Sequence, residues 1–160
     1  MKEEALREVE RIQDELRQIE TIVSHAQHDW NEFIRKGEEA YLKAVAYDLH
    51  GFYTGLERIF KSVASTIDDR IPAGEDWHKE LLEQMTLEIE GIRPALLSKT
   101  DRDLLDEFMR FRHRVRNIYS FNLIPERVKN LVEKLPEAHE KAKRDLSAFI
   151  QFLEQISSEA

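Results

Sequence analysis

From Leu42 through Val45, Leu49, Phe52, Leu56 and Ile59 to Val63, apolar residues recur at alternating steps of three and four. A strand buries every second residue, so only a helix keeps these seven side chains on one face. The spacing predicts a helix over 38–67. Gly51 and Gly55 lie one turn apart on it. Glycine in a helix interior costs about 0.5–1 kcal/mol relative to alanine, so the pair predicts a second helix passing close to that face.

The same period recurs elsewhere. Ala5, Val9, Ile12, Leu16, Ile19 and Val23 make one stripe, which predicts a helix from Lys2 to the mid-twenties, with an extension to Arg35 open before Gly37 breaks it. Residues 68–74 read as a loop. A shorter helix starts near Glu75, carries Trp77, Leu81, Leu82, Met85 and Ile89, and is ended by Gly91 and Pro94. A fourth spans Thr100 to Tyr119, with Thr100 as N-cap, Asp103 three residues on, and the stripe Leu104, Phe108, Phe111, Val115, Ile118. The last starts at Pro125, which suits a first helical position. Pro136 is a candidate interruption before the helix runs to Ser157 through Leu146, Phe149, Leu153 and Ile156. Five glycines and four prolines in 160 residues, with 35% charged side chains, also suit helices better than sheets. The expectation is all-α: an up-down bundle of about five helices, one domain over 1–160.

No apolar run approaches the length of a membrane span. The charged start Met1-Lys2-Glu3-Glu4 does not read as a signal peptide, and the absence of cysteine removes disulfides and thiolate metal sites. A cytoplasmic protein is expected. His25 and His28 lack an evident third ligand, so no metal is expected. There is no glycine-rich phosphate loop, and no cofactor is implied.

The net charge is −8, yet Arg110, Arg112, Arg114, Arg116 and His113 fall within seven residues. With Phe111 pointing at the core, Tyr119, Arg112 and Arg116 sit at about 80°, 100° and 140° around the helix, followed by His113, Asn117 and Arg110. The side away from the core then reads as a continuous basic surface. Like charges this close repel, and converging guanidiniums suit a phosphodiester, whose oxygens accept their forked donors. The same residues also fit a solvated face whose arginines pair with Asp106 and Glu107. His50 and Asp48 on the glycine-bearing helix read as partners placed behind the basic helix, with Asp48 reaching one of its arginines. His78, next to Trp77 at a helix start, reads as packing.

Arg112-x4-Asn117-x-Tyr119 resembles the motif of HEPN domains, in the HepT-like branch where it reads Arg, a polar residue, three more, then His-x-Tyr. The phrases Ala44 to Phe60, Trp77 to Met85, and Phe111 to Leu123 with Pro125-Glu126-Arg127 resemble the same branch. The resemblance implies a ribonuclease toxin that works as a homodimer and cleaves RNA without a metal, through the 2′-hydroxyl. Arg112 would hold the phosphate, Arg110, Arg116 and Tyr119 would contact RNA, and Asn117 or His113 would orient or protonate. It also implies a minimal nucleotidyltransferase antitoxin that AMPylates Tyr119. Where the family has His, this chain has Asn117, which hydrogen-bonds but does not titrate. A weakened nuclease and a non-catalytic module that binds the nucleotidyltransferase, a nucleotide or RNA both remain open.

Overall fold

The computed structural model describes residues 2–116 and 122–159. Five helices follow one another: α1 (Lys2–Lys36), α2 (Glu39–Thr66), α3 (Trp77–Gln84), α4 (Lys99–Arg116) and α5 (Pro125–Glu159). There is no strand among the described residues. The all-α bundle is as expected, and α1 takes the longer of its two readings.

All seven apolar residues of the α2 stripe are buried. Helix α1 ends where Gly37 adopts φ +70° and its N–H returns to the Phe33 carbonyl at 2.8 Å, a left-handed cap that glycine takes without Cβ strain. The two-residue link that follows folds α2 back along α1. The glycine face of α2 is where they meet. A Cβ on Gly55 would lie 2.7 Å from Ile19 Cγ1, and one on Gly51 would lie 3.5 Å from Ile22 Cδ1. Gly55 is the position where the absence of a Cβ lets α1 approach this closely, whereas a Cβ at Gly51 would make an ordinary contact.

Helix α3 is shorter than its apolar spacing predicts. It stops at Gln84, and Ile89 leaves the helix to bridge Arg93, with N–H···O contacts of 2.9 and 3.0 Å. A buried polar network accounts for the break. The Arg93 guanidinium grips Asp68 through Nε at 2.5 Å and Nη2 at 2.7 Å, while Gln84 Nε2 donates to the same carboxylate at 2.8 Å. Arg93 also donates to the carbonyls of Leu87 and Gln84, satisfying acceptors that an ending helix leaves open.

Helix α4 is capped by Ser98, whose Oγ accepts the Asp101 N–H at 3.0 Å. Thr100, the expected N-cap, lies inside the helix. The buried face consists of Asp101, Leu105, Phe108, Phe111 and Arg112, with Leu104 and Val115 only partly buried; Ile118 lies outside the described residues. Phe108 meets Phe52 edge to face at 5.2 Å. Helix α5 runs through Pro136 without a break; Val128, Leu131, Leu135 and Ala138 are all buried around it. Together α1, α2, α4 and α5 enclose one core, roofed at one end by Leu81, Leu82 and Met85.

Candidate nucleic-acid interface

Phe108 and Leu105 sit at about 60° and 120° from Phe111 on the helical wheel, and Arg112 falls between them at about 100°. The inward face of α4 is thus turned by roughly 50° from the one read off the sequence, and Arg112 points inward. It is 5% exposed. This corrects the expectation that Arg112 belongs to the outer basic flank.

A buried guanidinium needs partners, and α2 supplies them. Arg112 Nη2 donates to Glu57 Oε2 at 2.8 Å and Nη1 to Thr54 Oγ1 at 3.3 Å, and its Cζ lies 5.0 Å from the centre of the Tyr53 ring. Burial holds the Tyr53 phenol protonated. His78, at the start of α3, joins from a third side. Its Nδ1 is 2.7 Å from Glu57 Oε2 and 3.0 Å from Arg112 Nη2. Trp77 lies against the imidazole at 3.5 Å between ring centres, and Lys61 sits over the indole at 4.7 Å.

Glu57 and His78 are the residues sequence reasoning missed, His78 having been read as packing. A usable signal existed for Glu57. Tyr53, Glu57, Phe60 and Ala64 form a second buried row on α2, and a carboxylate in such a row requires a cation.

The other candidates spread out. His50 Nδ1 is 3.5 Å from Thr54 Oγ1, and the Thr54 hydroxyl donates to the His50 carbonyl at 2.9 Å. Thr54 thus lies between His50 and Arg112, whose Nη1 donates to the same hydroxyl at 3.3 Å. Its pKa is lowered, first by burial and then by Arg112 and Arg116. Asp48 does not reach an arginine. It faces α1, where burial and Asp29 push its carboxyl up to about 7, and its Oδ2 has no partner. That expectation was wrong because Asp48 lies on the flank of α2 that faces α1. Arg110 is exposed and paired with Asp106 at 2.7 Å, as the solvated-face reading anticipates; Glu107 instead pairs with Lys134. His113, Arg114 and Arg116 are exposed, and neither Arg114 nor Arg116 makes an ion pair among the described residues. Asn117 and Tyr119 lie outside the described residues.

The end of α4 and the start of α3 border a cleft of about 860 Å³. Trp77 and His78 form one wall. Lys79, Arg110, Arg112, Arg114 and Arg116 line it with the acids Glu75, Asp76 and Asp106; with Arg112 paired to Glu57 and Arg110 to Asp106, Lys79, Arg114 and Arg116 stand against Glu75 and Asp76. In a chain of net charge −8, that local excess favours an anionic occupant. Among the described residues no three His, Asp or Glu side chains are grouped to hold a metal ion, and no helix is long and apolar enough to cross a membrane.

The profile of a family described as HepT-like protein matches residues 44–153. The chain belongs to the HepT-like family. That places it in the HEPN superfamily, and the matched span contains every residue of the Glu57–His78–Arg112 cluster. No curated protein and no solved structure matches this HepT-like chain.

Proposed function

We propose that this HepT-like chain is the RNA-directed toxin of a toxin–antitoxin pair. In this reading it is a single-domain, cytoplasmic, metal-independent endoribonuclease that acts as a homodimer. The observation that carries the reading is the cleft between α3 and α4, where cations outnumber acids in an otherwise acidic chain. Exposed Arg114 and Arg116 suit phosphate oxygens. Half-buried Trp77 offers a ring on which an unpaired base stacks. A single RNA strand presents both chemistries.

Cleavage proceeds by attack of the 2′-hydroxyl on the adjacent phosphorus. The cationic cleft stabilises the charge that grows on the phosphate oxygens, with Arg112 at its floor. The partner is a minimal nucleotidyltransferase that transfers AMP from ATP to the Tyr119 hydroxyl and releases pyrophosphate. The added phosphate brings negative charge close in sequence to Arg116 and weakens the hold on RNA.

Purified protein incubated with tRNA and with mRNA yields cut products, and Arg116→Glu lowers the yield at least tenfold. Intact RNA at high enzyme concentration contradicts the reading. For the partner, the test is a mass gain of one AMP that disappears in Tyr119→Phe and survives in Tyr47→Phe.

A second reading is favoured by two observations: Arg112 is already paired with Glu57, and Asn117 does not titrate. It is a non-catalytic module whose cleft binds the nucleotidyltransferase, its nucleotide or RNA. Asn117→His separates the two, because activity that appears only in that variant marks the natural chain as a binder.

A further inference from the structure

Metal-free attack by a 2′-hydroxyl needs a group to take its proton, and Asn117 cannot. Helix α3 brings a histidine to the cleft from the opposite side. We infer that His78, oriented by Glu57, is the proton-transfer residue of this site, an inference that rests on the ribonuclease reading above.

His78 Nδ1 and Arg112 Nη2 both point at one oxygen, Glu57 Oε2, at 2.7 and 2.8 Å. Their own separation of 3.0 Å is the third side of that triangle. An ionised carboxylate only accepts, and in the tautomer assigned to this site Nδ1 carries the proton and donates it to Glu57 across the shorter contact. The lone pair then resides on Nε2, the arrangement a general base needs. The ring is also held, with Trp77 against one side. Its side chain is 28% exposed where Glu57 is 7%, and it lines the cleft beside Arg112. Substrate reaches His78 while the carboxylate behind it stays covered.

His78 is the cleft histidine whose ring nitrogen contacts a buried carboxylate. His50 does not line the cleft and stands behind Thr54. His113 also lines the cleft but is exposed. The charged groups around His78 are Glu57 and Lys61 of α2, Asp76 and Lys79 beside it in the chain, and Arg112 of α4.

In the reaction, His78 Nε2 takes the 2′-hydroxyl proton as O2′ bonds to phosphorus and the P–O5′ bond breaks. One product ends in a 2′,3′-cyclic phosphate. The other ends in a 5′-hydroxyl whose proton comes from water, and the imidazolium returns its own to solvent. Glu57 is a positioning residue, since it acts through the ring.

The test uses the full chain and a fluorescent single-stranded RNA oligonucleotide of mixed sequence. A loss of about 10²–10⁴-fold in cleavage is expected for His78→Gln, with binding of the same RNA, 2′-deoxy throughout, unchanged within twofold. The wild-type rate shows an ascending limb with pH that His78→Gln lacks, and added imidazole restores cleavage to His78→Ala. Glu57→Gln, confirmed as folded by circular dichroism, displaces the limb, whereas a purely structural carboxylate leaves it in place. If His78→Gln cleaves within threefold of wild type, the inference is overturned and the ribonuclease reading stands. If the wild type cuts nothing, both fall together.

Discussion

Glu57 Oε2 accepts a hydrogen bond from Arg112 Nη2 at 2.8 Å, with both side chains less than a tenth exposed. This one contact joins the middle of α2 to the end of α4 and fixes the floor of the basic cleft. Burial of two charges is costly, and the pair persists because each neutralises the other and Thr54 takes a further donor.

Breaking that pair from one side should destabilise the fold. Arg112→Ala or Glu57→Ala leaves an uncompensated buried charge, worth about 3–5 kcal/mol. The double replacement Glu57→Gln with Arg112→Met should cost less than the sum of the single alanine changes. Urea unfolding of the four proteins measures this. Loss of cleavage in Arg112→Ala alone is therefore poor support for a phosphate-binding role, since the fold suffers too.

The two glycines of α2 should respond with opposite signs. Gly55→Ala places a Cβ 2.7 Å from a carbon of Ile19, a residue 1% exposed that cannot give way. Overpacking of this kind costs about 1–3 kcal/mol. Gly51→Ala meets Ile22 at an ordinary 3.5 Å, so the better helix propensity of alanine stabilises by up to about 1 kcal/mol. Thermal melts of the two variants should move in opposite directions.

Two acid pairs set a pH dependence. Burial and Asp29 push Asp48 up to about 7, and burial with Asp101 does the same to Asp145. A carboxyl with a raised folded pKa keeps a proton that the unfolded chain releases above about 4. Its stabilising contribution is complete below that value and is lost as pH rises through about 7. The urea midpoint should fall between pH 5 and pH 8. Asp48→Asn should raise the midpoint more at pH 8 than at pH 5, and flatten the slope between them.

Much of the bundle was legible in the sequence because helix period and burial coincide on α1, α2 and α5. Helix α3 misled because Ile89 continues the apolar spacing while Arg93, 25 residues from Asp68, pulls the chain out of the helix. Single-element periodicity does not register such a distant pairing. The basic cluster was visible, but its orientation was misjudged. Taking Phe111 alone as the inward direction ignored Leu105, which turns the buried face toward Arg112. Glu57 and His78 escaped because their partners lie 55 and 21 residues away, beyond any local motif.

The most direct test of the central claim, that the α3–α4 cleft holds an RNA strand, is fluorescence anisotropy with a labelled single-stranded RNA over a salt series. The account predicts that log affinity falls with log salt at a slope of about −0.7 per phosphate engaged. It also predicts that the double reversal Arg114→Glu with Arg116→Glu weakens binding at least tenfold and flattens the slope by about one unit or more. Binding that ignores salt, or that survives the reversal unchanged, would contradict it.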